Sequence, residues 1–145
     1  MVEDENGDIW AATAVAGIWR IVRTGNKYDV RCYNVSSHNA SIIGAVTLGV
    51  DNQNRIWAGG NETGVCMYDR DKDQFVSMLD DYFEESEIVS CILNDGRGSI
   101  WITTNLEVYR INMSGNDDKM TVEIYTVEDG LQGHIFNRNA CCIGK

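Results

Sequence analysis

Side chains that could bind a ligand are concentrated in loops between the apolar stretches of this sequence. Imidazole, amide, carboxylate and aromatic groups together provide the hydrogen bonds and apolar contacts that a small neutral polyol would use. The residues in question are His38, Asn39, Asn61, Glu62, Asp81, Tyr82, Asn105 and His134. We predict a ligand-binding role for them, although ordinary solvent-exposed loops would have the same composition, so both interpretations stay open.

Groups arranged for catalysis or metal binding are not evident in the sequence. The two histidines lie far apart, and no Ser/His/Asp or Cys/His combination stands out. The motif Asp69-x-Asp71-x-Asp73 has the spacing of the first calcium ligands in an EF-hand, but Gln74 occupies the position where that loop requires glycine. We therefore predict a charged hairpin turn at this motif, and no catalytic residue, metal or cofactor in the chain.

The cysteines do not form a recognisable framework. There are five of them, at positions 32, 66, 91, 141 and 142, and no Cys-x-x-Cys motif occurs. An odd number without metal-ligand spacing argues against both a zinc site and a set of disulfides. The prediction is that they are free thiols buried on strands, with Cys141 and Cys142 on opposite faces of one strand.

The charge of the chain excludes two classes of partner. The net charge is −10, so the surface is unsuited to nucleic acid and to anionic membranes. No stretch approaches the roughly 20 apolar residues that span a bilayer, and the acidic segment after Met1 predicts no signal peptide. A neutral or cationic ligand is easier to accommodate than an anionic one.

An internal repeat determines the predicted fold. In each of three copies an aspartate lies six residues before a tryptophan, and an isoleucine lies immediately before it. The copies begin at Asp4, Asp51 and Asp95 and reach Trp10, Trp57 and Trp101. The tryptophans are 47 and 44 residues apart (10 to 57 and 57 to 101), which is the spacing of β-propeller blades.

Each repeat contains four short apolar stretches that predict four antiparallel strands. The second strand reads Ile-Trp-Ala-Ala, Ile-Trp-Ala-Gly or Ile-Trp-Ile-Thr, so adjacent apolar residues point to opposite faces and both faces are buried. Blades around a common axis bury both faces in this way. We therefore expect the three tryptophans, together with Trp19 and Tyr109 on the third strands, to pack in the core between blades.

The strand count predicts a propeller fragment that begins and ends within a blade. Residues 1–35 provide three strands, 42–79 and 88–126 provide four each, and 135–143 provide one, which makes about three blades. Most propellers have four to eight blades. The expected partners are therefore the remaining blades of a longer parent protein, or a second copy whose strands complete the unfinished blade in a homo-oligomer.

The repeat resembles that of the two-component regulator propeller family. The resemblance lies in Asp-x-x-Gly-x-Ile-Trp-x-x-Thr, in the following Gly-hydrophobic-x-x-Tyr/Ile, and in the tail Asp129-Gly-Leu131 followed by Phe136-Asn137. Asn54, Gly60 and Glu107 depart from the pattern, at positions where the other copies have Gly, Thr and Gly.

The resemblance implies the periplasmic sensing region of a hybrid sensor histidine kinase of the Bacteroides type. Many such regions respond to oligosaccharides, while the kinase, the phosphorelay partners and the membrane anchor lie elsewhere in the parent protein. The implied function is therefore carbohydrate sensing without chemistry in this segment. A propeller enzyme of the lyase or hydrolase type and a protein-interaction scaffold are the alternatives.

Overall fold

The structure is a computed structural model that describes residues 1–37, 40, 44–61, 64–83, 87–113, 120–133 and 135–143. The first four strands are Val2–Glu3 (β1), Ile9–Thr13 (β2), Gly17–Thr24 (β3) and Lys27–Tyr33 (β4). The next four are Ala45–Val50 (β5), Ile56–Gly60 (β6), Val65–Asp69 (β7) and Gln74–Met78 (β8). The last four are Val89–Asn94 (β9), Ser99–Thr104 (β10), Val108–Met113 (β11) and Met120–Tyr125 (β12).

The strands form three four-stranded antiparallel sheets, which are the blades of the predicted propeller fragment. Blade 1 contains β1 to β4, blade 2 contains β5 to β8 and blade 3 contains β9 to β12, each in sequential order. Two short 3-10 turns, Val35–Ser37 and Val127–Asp129, are the helical elements of the described residues. The predicted all-β fold of about three blades is confirmed.

The first strand of each blade, which we call its inner strand, lies close to the neighbouring blades. Strand β5 contacts β2 of blade 1 and β9 of blade 3. A Cβ atom on Gly49 would come within 2.5 Å of Ile92 Cγ2, and one on Gly59 within 2.3 Å of Val89 Cγ1. Only glycine permits this approach, because a side chain at either position would overlap the inner strand of blade 3.

Each blade has a front face, directed toward the next blade in the chain, and a back face directed toward the preceding one. The front face of blade 1 and the back face of blade 2 enclose a core with Trp10, Tyr33, Tyr68 and Phe75. The front face of blade 2 and the back face of blade 3 enclose a second core around Trp57. Both faces of blade 2 are thus buried, as the apolar second strands predict.

The repeated aspartate fixes the turn between the first and second strands of each blade. In blade 1, Asp4 Oδ1 accepts hydrogen bonds from the backbone N–H groups of Asn6 and Asp8, at 2.9 and 3.1 Å. Asp4 Oδ2 accepts a third from the indole Nε1–H of Trp10, at 3.2 Å. The carboxylate therefore closes the turn and orients the tryptophan of the strand that follows.

The same arrangement occurs in the other two blades. Asp51 Oδ2 accepts from Trp57 Nε1 at 3.0 Å, and Asp95 Oδ2 accepts from Trp101 Nε1 at 3.3 Å. The Oδ1 atom of each again accepts two backbone N–H groups, from residues two and four positions later. The fourth turn position has positive φ throughout, 79° at Gly7, 58° at Asn54 and 106° at Gly98, and asparagine can replace glycine here because it also adopts this conformation.

Both ends of the chain differ from the predicted strand pattern. Val2–Glu3 pairs with β2, so blade 1 has four strands rather than three. Val2 packs against the core between blades 1 and 2, which explains why even this short segment is ordered as a strand. The strand predicted at 135–143 is not formed, because Asn139 adopts a positive φ of 54° in a turn, where Asn139 N–H bonds to Ser90 O at 2.9 Å.

Replacing Asp51 with alanine is expected to lower the free energy of unfolding by about 2–4 kcal/mol, because two backbone N–H groups and the buried Trp57 indole lose their acceptor. Urea unfolding followed by tryptophan fluorescence measures the change. Asp71→Ala is the control, because Asp71 is an exposed turn residue, and its effect should stay within about 0.5 kcal/mol. Equal effects of the two substitutions would contradict the role assigned to Asp51.

Candidate functional site

The connections that follow the second and fourth strands of each blade meet on one side of the molecule, which we call the loop face. Asn61 follows β6, and its N–H donates to Gly44 O, just before β5, at 3.3 Å. Asn61 also forms an antiparallel bridge with Ile88, just before β9. The loop face therefore contains segments of successive blades in direct contact.

Two of the predicted site residues, Asn61 and Asn105, are brought together through Ile88. Asn105 N–H donates to Ile88 O at 3.1 Å, and Ile88 N–H donates to Asn105 Oδ1 at 2.7 Å. Asn61 Oδ1 accepts from Arg138 Nη2 at 3.1 Å. Both asparagines thus hold loop segments in place through these oxygens.

Asp81 and Tyr82 lie in the turn that follows β8. Asp81 is exposed, and the Tyr82 side chain is 44% exposed. Tyr82 N–H donates to Leu79 O at 2.8 Å, which closes the turn, and Tyr82 O accepts from the hydroxyl of Tyr109 at 3.3 Å. This turn therefore contacts blade 3, while the Tyr82 ring is partly exposed to solvent.

The other four predicted site residues lie outside the described residues. They are His38, Asn39, Glu62 and His134. Their part in ligand binding stays a prediction.

A buried polar cluster that the sequence reasoning missed lies beneath the Tyr82 turn. The Tyr109 hydroxyl lies 2.9 Å from Glu87 Oε1, 3.0 Å from Glu87 Oε2 and 2.9 Å from Glu107 Oε2. Thr104 Oγ1 donates to Glu87 Oε1 at 2.6 Å. Glu87 is 1% exposed, so these hydroxyl donors offset the cost of burying its carboxyl group.

Within this cluster the Tyr109 hydroxyl is a hydrogen-bond donor. Burial raises the pKa of the Tyr109 hydroxyl, and the hydrogen bonds and charges of Glu87 and Glu107 raise it further. Tyr109 therefore stays protonated and acts as a donor. The Phe83 ring stacks on the Tyr109 ring with centroids 4.5 Å apart, which fixes the 79–83 turn against β11. One sequence signal pointed here, because Glu107 stands where the other repeats have glycine.

An open cavity of about 480 Å³ lies at the loop end of the back face of blade 1. Its lining residues are Val15, Ala16, Gly17, Trp19, Cys32, Asn34, Val35, Ser36 and Gly44. Trp19 is half-buried, whereas the sequence predicted a core position, because none of the described strands forms a blade over this back face. Tyr109, at the same position of the repeat, is 1% exposed as predicted, because blade 2 covers it.

In the acidic motif at 69–73, the carboxylates of Asp69 and Asp73 accept hydrogen bonds from other groups of the protein. Asp69 Oδ1 accepts from the N–H groups of Asp71 and Lys72, both at 3.0 Å, as in a hairpin turn. The Asp73 carboxylate accepts from the hydroxyls of Tyr33 and Tyr68, at 2.7 and 2.5 Å. Across the described part of the chain, no group of three or more histidine, cysteine or acidic residues could hold a metal ion.

The cysteine prediction was partly wrong. Cys91 on β9 forms a disulfide with Cys141, which lies in the turn region after residue 135 rather than on a strand. The pairing joins residues 50 positions apart, so spacing alone could not indicate it. Cys66 is a buried free thiol as predicted, and burial raises its pKa to about 12, with Asp80 contributing.

Among known proteins, the chain is similar to solved structures that share its fold. No family model matches the chain, and no curated protein matches it. Within the described residues, no helix is long and apolar enough to cross a membrane. Solved structures do match, and three of them are described as extracellular domains of two-component or one-component systems from B. thetaiotaomicron.

The structural similarity extends over nearly the whole chain. The domain of the hybrid system BT3049 is 22% identical with a TM-score of 0.70, and it matches 92% of this chain and 18% of its own. Two structures of BT4673 are 20% and 21% identical with TM-scores of 0.72 and 0.71, and each matches 94% of this chain and 20% of its own. The chain therefore shares the propeller fold of these domains and spans about a fifth of their length.

The disulfide predicts a distinct pattern of thiol reactivity. In the folded protein without reductant, iodoacetamide should modify the exposed Cys142 fastest and leave Cys66 unmodified, since its thiol is buried and protonated. Cys91 and Cys141 should react only after reduction and unfolding. Peptide mass spectrometry after each treatment measures the sites. Modification of both Cys91 and Cys141 in the unreduced folded protein would contradict the pairing.

Proposed function

We propose that this chain is a sensory propeller segment in the extracytoplasmic region of a two-component regulator, and that its loop face binds a neutral carbohydrate. The bound state is passed on through changes in how blades and neighbouring domains pack, without chemistry in the segment. The observation that carries the proposal is the shared fold with three structures of two extracellular domains, over more than nine-tenths of the chain. Two of these structures are described as parts of hybrid two-component systems.

The remaining parts of such a regulator are also part of the proposal. The chain spans about a fifth of the matched domains. Further blades, a membrane anchor and a histidine kinase with its phosphorelay would belong to a longer parent protein. In that setting the three blades contribute one sector of the ligand-binding side.

A periplasmic location is supported by the disulfide. Disulfides form and persist in oxidising compartments and are rare in the cytosol of most organisms. The Cys91–Cys141 pair links the inner strand of blade 3 to the segment that follows blade 3. The bond therefore stabilises the loop face at the place where Asn61 and Arg138 also meet.

The nature of the ligand is inferred from the groups around the cavity. Trp19 offers a half-exposed aromatic surface, and Asn34 and Ser36 add polar groups at the rim. A pocket that combines an aromatic wall with a few polar groups suits a small polar molecule. The net charge of −10 disfavours anionic ligands and leaves neutral and cationic ones, of which the proposal takes the neutral sugar.

Calorimetric titration of the chain with neutral oligosaccharides, and with uronic-acid oligosaccharides of the same length, tests the proposal. At least one neutral sugar should bind, and its acidic counterpart should bind more weakly. Trp19→Ala should weaken binding about tenfold, because the aromatic wall of the cavity is lost.

The matched control is Tyr28→Ala, which removes a 65% exposed aromatic ring near the other end of β4. This substitution should leave the affinity unchanged. The absence of binding by every neutral sugar, or equal losses in the two variants, would contradict a carbohydrate site at this cavity.

A further inference from the structure

The turn between β7 and β8 of blade 2 reaches across to blade 1 with two side chains of opposite charge. At one end of the turn, Arg70 Nη2 lies 3.4 Å from Asp4 Oδ2, in the turn between β1 and β2. At the other end, the Asp73 carboxylate accepts a hydrogen bond from the Tyr33 hydroxyl and forms an ion pair with Arg31, both on β4. The acidic motif at 69–73 is therefore bound to the neighbouring blade at two points.

The backbone at Asp73 is in an uncommon conformation. Its φ is 52°, in the left-handed region that residues with a side chain rarely adopt. Such a conformation persists where the surrounding contacts determine it. Here Asp73 Oδ1 accepts from the hydroxyls of Tyr33 and Tyr68, so the shape of the turn and its contact with blade 1 are fixed together.

The two hydroxyls that Asp73 binds belong to opposite sides of the interface between blades 1 and 2. Tyr33 lies on blade 1 and Tyr68 on blade 2, and their hydroxyl oxygens are 3.3 Å apart. Both rings contact Trp10 in the buried core between these blades, with centroids 5.8 and 4.7 Å from it. Asp73 therefore closes the outer end of this core and links its two sides.

The interface between blades 2 and 3 has apolar side chains at the same positions of the repeat. By strand register, Met78 is the counterpart of Tyr33. In the same way, Ile111 is the counterpart of Tyr68. Ile111 belongs to the core around Trp57, and Met78 packs against that core. Neither side chain carries a hydroxyl, so the hydroxyl link belongs to the interface between blades 1 and 2.

We propose that the 69–73 turn is a clasp that controls a joint between blades 1 and 2. When the contacts of Asp73 are released, this interface opens at its outer edge while blades 2 and 3 stay together. Hydrogen bonds and ion pairs are exchanged for bonds to water at a small net cost, whereas opening an apolar contact exposes its whole area. The Asp73 and Arg31 side chains are 34% and 57% exposed, so water reaches the ion pair.

The joint identifies which contact would repack when the bound state is passed on, so its role in signalling rests on the proposed function. Its existence does not, because the clasp and both blades lie within the described residues. The joint can therefore be tested in the full chain without any ligand, and a negative result is distinguishable from a failure of the carbohydrate titration.

Deuterium exchange of the indole N–H groups of Trp10 and Trp57, followed by NMR, tests the proposal. Both side chains are fully buried, Trp10 in the core that the clasp closes and Trp57 in the core between blades 2 and 3. Asp73→Gly removes the carboxylate and keeps the turn, because glycine adopts positive φ freely. The exchange rate at Trp10 should rise at least about tenfold, while that at Trp57 stays within about twofold.

Asp71→Gly is the matched control, because it makes the same substitution in the same turn at an exposed residue, and it should leave both exchange rates within about twofold. Tyr33→Phe is a second release variant, which removes one hydroxyl of the link and keeps the aromatic ring. It should also raise exchange at Trp10 alone. Equal increases at Trp10 and Trp57, unchanged exchange at Trp10 in both release variants, or the same increase in the control would overturn the proposal.

Discussion

The architecture depends on one interaction that recurs in every blade. An aspartate carboxylate accepts hydrogen bonds from the backbone of one turn and from the indole of one tryptophan. Burial opposes ionisation of Asp4, yet the hydrogen bonds from Trp10, from the turn backbone and from Arg70 outweigh it and hold the pKa of Asp4 below its ordinary value. The balance at Asp95 has the same sign, with burial opposed by hydrogen bonds from Ser99, Arg97 and Trp101. The carboxylate thus fixes the direction of the tryptophan in each blade, and Trp10 and Trp57 lie in the cores between blades.

The features that depend on local spacing could be predicted from the sequence. The six-residue separation of aspartate and tryptophan, and the apolar residues on both faces of the second strand, indicated stacked four-stranded blades. The positive φ of Asn54 follows from the turn type alone. The disulfide, the pairing of Val2–Glu3 and the turn at Asn139 could not be predicted, because each depends on contacts between residues that are distant in sequence or on the path of a chain end.

The sequence predicted where Asn61 and Asn105 lie better than it predicted which groups they bond to. Asn61 and Asn105 do meet on the loop face, but their oxygens hold other segments of the chain. The repeat predicted that Tyr109 faces the preceding blade, but its contact with Glu87 depends on the path of the segment before β9, which no motif indicates. Trp19 lines a cavity because its blade face is uncovered, which depends on how many blades are present.

Hydrogen–deuterium exchange of the four tryptophan indole N–H groups, followed by NMR, tests the central claim most directly. Trp10, Trp57 and Trp101 donate to aspartates, whereas Trp19 has no such acceptor among the described residues. The account predicts slow exchange for these three and fast exchange for Trp19. Protection at Trp10 and Trp101 should persist below pH 3.8, the ordinary pKa of aspartic acid, because the pKa values of Asp4 and Asp95 are lowered. Equal exchange of all four indoles would contradict it.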